Sequence, residues 1–146
     1  MPDDVLKYVQ LTKESDKASE EELNSSDLFA GKAYLLKADT AAAVKAFSSV
    51  VAKTKTLAAA EAKYTLAEIQ YNKHDYKGSQ KTCFDLINNM ASYDYWVAKS
   101  FILLADNYVA LKDNLQAKST LLSIIDNYDG KDEIVATAKE KLEKIK

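Results

Sequence analysis

A chain of 146 residues with 47% hydrophobic content is one domain by length and can bury roughly 68–70% of its unfolded surface, so its core needs no metal or disulfide. A net charge of −2 supplies no basic field, which argues against nucleic acid as the main ligand. All 20 basic residues are Lys, so the arginine fork preferred for phosphate and carboxylate is missing as well.

The elements follow in chain order. Residues 4–13, DVLKYVQLTK, place Val5, Leu6 and Val9 in a helical pattern. Residues 14–22, ESDKASEEE, are polar and acidic and predict a solvated linker running into a helix start. Ser19 and Glu22 have the spacing of a capping box there. The helix that follows runs to about residue 37, and the next spans about 40–53. In that second helix AAAVKAF is strongly helix-forming, and Ala43, Phe47 and Val50 share one stripe. A further pair covers about 57–73 and 76–89, and NNMASYD forms the following loop. The last pair covers about 95–111 and 114–127. Asp129-Gly130 marks a turn. Ile134, Val135, Ala138, Leu142 and Ile145 then make an apolar stripe on a lysine-rich helix over about 131–145.

The helix pairs repeat. Small residues stand at Gly31, Ala67 and Ala105 in the first helices and at Ala43, Ser79 and Ala117 in the second. Their separation is constant, since 43−31, 79−67 and 117−105 all give 12. Apolar residues follow at Phe47, Cys83 and Leu121, and again at Val50, Leu86 and Ile124. Aspartate opens each second helix, at Asp39, Asp75 and Asp113, where its carboxylate can accept first-turn N–H groups. Gln116, three residues after Asp113, completes a second capping-box pattern.

With these residues the chain resembles the tetratricopeptide repeat family, whose unit is a 34-residue helix–turn–helix with small residues where its helices touch. The units here lie 79−43 = 36 and 117−79 = 38 residues apart, and the Pro usual after the second helix is missing. The resemblance implies an all-α fold, a right-handed superhelix of antiparallel helix pairs. Repeats would cover about 24–56, 57–91 and 95–128, preceded by a half repeat over about 4–13 and closed by a terminal helix. A chain that starts halfway through a unit is expected to be part of a longer repeat protein, or to expose apolar surface around Val5–Val9.

Little in the sequence suggests chemistry. His74 is the only histidine, so a His-based metal cluster is excluded, and it falls in a turn where the family usually has Gly. Cys83 is the only cysteine and reads as a small core residue. Tyr34 and Tyr108 hold equivalent, core-like positions, while Tyr95 and Trp96 begin a first helix and either pack or line a surface. No carboxylate pairs with a nucleophile, and no glycine-rich phosphate loop is present. No catalytic residue, metal set or cofactor is therefore expected. No apolar run approaches the ~20 residues of a membrane span, and the N-terminus lacks a signal-peptide layout.

The resemblance implies a protein-interaction scaffold. Its first helices would line a concave groove through Leu28, Lys32 and Leu35, then Tyr64, Glu68 and Tyr71, then Ile102, Asp106 and Val109. Each triplet has spacing i, i+4, i+7 and so lies on one helical stripe. The expected partner is a protein or peptide with apolar anchors and a basic residue, and Tyr64 and Tyr71 are the expected hot spots. An accessory domain of an enzyme complex, or self-association through the N-terminal end, is the alternative. Such repeats occur in bacterial envelope assembly proteins, so the cell envelope fits as well as the cytoplasm.

Overall fold

The computed structural model describes all residues, Met1 to Lys146, as eight helices with no strand. They are α1 (Pro2–Glu14), α2 (Glu20–Leu36), α3 (Thr40–Lys53), α4 (Leu57–Asn72), α5 (Tyr76–Asn89), α6 (Asp94–Ala110), α7 (Asn114–Asn127) and α8 (Ile134–Lys144). The chain forms two compact units, residues 1–66 and 67–146, and the boundary falls inside α4. In the first unit α1 packs on α2 and α2 on α3; in the second α5 packs on α6, α6 on α7, and α8 on both α6 and α7. No helix is long and apolar enough to cross a membrane.

α2 starts where its cap dictates. Ser19 Oγ accepts from Glu22 N–H at 3.2 Å, and Glu22 Oε2 accepts from Ser19 N–H at 2.7 Å, a complete capping box. The Ser19 N–H, together with the Ser19 hydroxyl that donates to Glu22 Oε2 at 2.9 Å, holds the Glu22 carboxyl below its usual pKa. The acidic stretch is thus split between a short connection after α1 and the first turn of α2.

Three turns, α2–α3, α4–α5 and α6–α7, are built alike. In each, the residue before the capping aspartate has positive φ: Ala38 at 59°, His74 at 63° and Lys112 at 67°. Asp39, Asp75 and Asp113 donate their N–H groups back to Tyr34, Gln70 and Tyr108 carbonyls at 2.9, 3.0 and 2.8 Å. Ala38, His74 and Lys112 donate to Leu35, Tyr71 and Val109 carbonyls at 3.0, 2.9 and 3.0 Å. This is the Schellman closure, and the same aspartate then caps the next helix. Its carboxylate accepts from Ala42, Gly78 or Gln116 N–H at 3.0, 3.0 and 3.1 Å. At Asp113 the expected capping box is only half made, because its N–H is already spent on Tyr108.

An L residue in the left-handed region carries roughly 1–2 kcal/mol of steric cost that glycine lacks. All three positions are exposed, so no packing opposes a change. Ala38→Gly, His74→Gly and Lys112→Gly are each expected to raise stability by about 0.5–1 kcal/mol in chemical denaturation. A loss at any of them would contradict the geometry.

Every small and apolar position of the repeat pattern is buried. Ala43, Phe47, Val50, Ala67, Ser79, Cys83, Leu86, Ala117 and Leu121 are fully so, and Gly31, Ala105 and Ile124 nearly. Burial pushes the Cys83 thiol up to about 12, against a weaker opposing hydrogen bond with Ser79, so it is a protonated core residue and not a nucleophile. Tyr34 and Tyr108 are half-buried, less than a core reading expects. In the second unit Ala98, Ile102, Ala105, Leu121, Ile124, Ile134 and Ala138 form one cluster, with Leu142 and Ile145 of the chain end against its edge. α8 therefore contributes its apolar stripe to the face of α6 and α7. At the other end, α1 buries Val9 against its unit but leaves Tyr8 67% and Leu11 58% exposed.

Candidate functional site

The three triplets predicted from the sequence share a register of burial. The leading residue of each, Leu28, Tyr64 and Ile102, is buried at 6%, 9% and 8% exposure. The two that follow open outward: Lys32 and Leu35 in α2, Glu68 and Tyr71 in α4, Asp106 and Val109 in α6 are half-buried or exposed. Each stripe sinks into the packing at one end and surfaces near the C-terminus of its helix. Tyr71 is thus better placed than Tyr64 to meet a partner.

In the first unit Lys32 Nζ stands 2.5 Å from Glu61 Oε1, joining α2 to the start of α4. Leu28 and Glu61 both line a cavity of about 620 Å³ at the N-terminal ends of α2 and α4. Asn24, on its wall, is 5% exposed, and its Oδ1 has no hydrogen-bond partner. Nearby, Asp27 is 3% exposed and gathers three donors: Lys13 Nζ of α1 at 2.5 Å, and Ser49 Oγ and Lys53 Nζ of α3 at 2.9 and 3.2 Å. Burial pushes its carboxyl up, but the hydrogen bonds from Lys13, Ser49 and Lys53 outweigh that and hold its pKa below the usual value.

In the second unit Tyr71, Asp106 and Val109 converge on one cavity of about 430 Å³, also lined by Lys141, Lys144 and Ile145. Lys141 Nζ reaches across from α8 to both Asp106 oxygens, at 2.8 and 3.0 Å. Ile102 lies beneath α8 in the apolar cluster. Burial raises the Tyr71 phenol pKa, with the Asp106 charge adding to it. Asn107, fully buried, donates from Nδ2 to Ser79 Oγ and Leu103 O, both at 2.9 Å, and so ties α6 to α5.

The residues with chemical potential are scattered. No three His, Cys, Asp or Glu side chains come together as a metal set. His74 is exposed in its turn, its ring 5.7 Å from that of Tyr76. Tyr95 and Trp96 meet edge to face at 5.1 Å, with the Lys99 ammonium over both rings; Tyr95 also donates from its hydroxyl to Glu133 at 2.7 Å. They serve the junction of α6 with the segment before α8.

Asn24, Asp27, Glu61 and Asn107 escape sequence reasoning because none recurs at its equivalent repeat position. Asp27, for example, corresponds to Lys63 and Phe101. Only the buried polar type of Asn107, three residues after a leucine-rich run, could have drawn notice. No family model, curated protein or solved structure matches the chain.

Proposed function

We propose that this chain is a non-catalytic scaffold that binds a peptide or protein segment along the exposed ends of its first helices, α2, α4 and α6. The observation that carries the reading is the common register of the three stripes, each leaving its last two residues accessible at the same place before the same turn. In the first unit such a surface offers Leu35 beside Lys32; in the second it offers Tyr71 and Val109 beside Glu68 and Asp106. The tetratricopeptide assignment, with its right-handed superhelix and concave groove, belongs to this proposal. The capped, three-times-repeated turn supports it.

Peptides selected by display on the immobilised protein provide the test. Tyr71→Ala combined with Val109→Ala is expected to weaken the selected peptides by roughly tenfold or more, as loss of an aromatic anchor does. Leu115→Ala, at a residue 79% exposed on the second helix α7, is the control and is expected to leave binding unchanged. Binding insensitive to the first pair, or equally sensitive to the control, would remove the assignment.

A further inference from the structure

The Asp129-Gly130 pair takes no part in the binding surface and carries a chemistry of its own. It lies in residues 128–133, the irregular segment that hands the chain from α7 to α8. Asp129 is exposed, and its carboxylate takes no hydrogen bond or ion pair. The Gly130 N–H donates to no carbonyl. On either side the backbone is tied, by Tyr128 N–H to Ile124 O at 2.9 Å and by Ile134 N–H to Asp132 Oδ1 at 3.0 Å. Other aspartates are held in place. Asp39, Asp75 and Asp113 spend their carboxylates on helix caps, Asp27 sits among its lysines, and Asp132 accepts from the Tyr128 hydroxyl at 2.5 Å. Each of these is followed by a residue with a Cβ, which crowds the approach of the carboxyl to the next backbone nitrogen. Asp129 alone precedes a glycine, the residue whose backbone is least restricted.

From this placement we infer that Asp129 is a site of spontaneous isomerisation to isoaspartate, with the Gly130 nitrogen as nucleophile. The nitrogen attacks Cγ of the protonated carboxyl. The N–Cγ bond forms, the Cγ–O bond to the hydroxyl breaks, and that hydroxyl leaves with the amide proton as water. A succinimide ring results. Water then adds to one of its two carbonyls. Attack at Cγ breaks the new N–Cγ bond and restores aspartate. Attack at the main-chain carbonyl breaks that carbon's bond to the Gly130 nitrogen and frees it as a carboxylate, and the chain then runs through Cγ. The water lost in the first step returns in the second, so no oxidant, reductant or partner is consumed and the mass is unchanged. The connection to α8 becomes longer by a backbone carbon. It does so beside the Tyr128–Asp132 hydrogen bond and just ahead of Ile134 and Ala138, which α8 buries in the core. This chemistry is independent of what the chain binds.

The folded full-length chain and a blocked synthetic peptide of residues 128–133, YDGKDE, incubated side by side at physiological temperature and mildly acidic pH, test it. Isoaspartate is read by resistance to a peptidase that cleaves before aspartate, by electron-transfer fragmentation, and by methyl transfer from S-adenosylmethionine with an isoaspartyl methyltransferase. Position 129 is expected to accumulate roughly tenfold or more isoaspartate than any other aspartate of the chain, and to do so within roughly tenfold of the peptide's rate, because an exposed connection needs no unfolding to react. Asp129→Asn should react faster, releasing ammonia in place of water, and Asp129→Glu should abolish the product at this position. The side chain is exposed, so both variants should fold as the parent does. A folded chain more than roughly tenfold slower than the peptide, isoaspartate concentrated at Asp39, Asp75, Asp113 or Asp132, or unchanged methyl incorporation in Asp129→Glu would overturn the assignment.

Discussion

Replacing both Lys13 and Lys53 by Met is expected to destabilise the first unit by about 3–5 kcal/mol, the cost of leaving a buried charge without its partners. The two ammonium groups and Ser49 are what allow Asp27 to remain ionised at 3% exposure. Without them only the Ser49 hydroxyl would face the carboxylate. The lysines themselves are about half exposed, so removing Asp27 instead lets them rehydrate and costs less. Adding Asp27→Leu to the double variant should therefore restore much of the lost stability.

The pH dependence distinguishes loss of the ion pairs from simple loss of packing. Asp27 has a folded pKa below its unfolded value near 3.9, so its contribution is present above that pH and is lost as pH falls through the folded pKa. In the Lys13→Met/Lys53→Met variant, burial without cations should push the folded pKa above the unfolded one. The sign then reverses, and acidification from neutral toward about pH 4 should recover stability. Urea denaturation across that window reads both slopes, and parallel slopes in the two proteins would contradict the assignment.

Phe47→Ala is expected to cost about 3–5 kcal/mol, as emptying a fully buried phenyl site does. Phe47 is the largest fully buried side chain, and its ring occupies the space above Gly31. A Cβ at Gly31 would lie 2.5 Å from Phe47 Cε1 and 2.7 Å from Cδ1 and Cζ, well inside van der Waals contact. The ring is fully buried, so it cannot swing out into solvent. Gly31→Ala alone should cost about 1–3 kcal/mol through overpacking, reduced by up to about 1 kcal/mol of improved helix propensity. Against Phe47→Leu, which matches the Ala105 and Leu121 combination of the third pair, Gly31→Ala should be neutral or stabilising. Additive effects in this double-mutant cycle would show that the two residues do not share the space.

Much of this architecture is legible in the sequence, for a physical reason. Helix contacts that recur along a chain impose the same volume limit each time, so Gly31, Ala67 and Ala105 betray their contacts by recurrence, and Asp39, Asp75 and Asp113 betray the caps. The turns were legible only in part. Glycine would have announced a left-handed residue, and Ala38, His74 and Lys112 conceal it. The long-range polar contacts were not legible at all. Lys13, Asp27 and Lys53 lie in three different helices, and nothing in their local patterns requires them to meet. For the groove stripes the helical spacing was readable, but depth was not. That Tyr64 sinks while Tyr71 surfaces depends on packing around α4, which a stripe on one helix does not encode.

Whether the exposed ends of α2, α4 and α6 carry the proposed binding function is decided by a backbone amide map of the protein with a display-selected peptide. Shifts are expected to cluster at Lys32 to Leu36, Glu68 to Asn72 and Asp106 to Ala110, with α3 and α7 largely still. Shifts concentrated on α3 and α7, or confined to α1 around the exposed Tyr8 and Leu11, would contradict it.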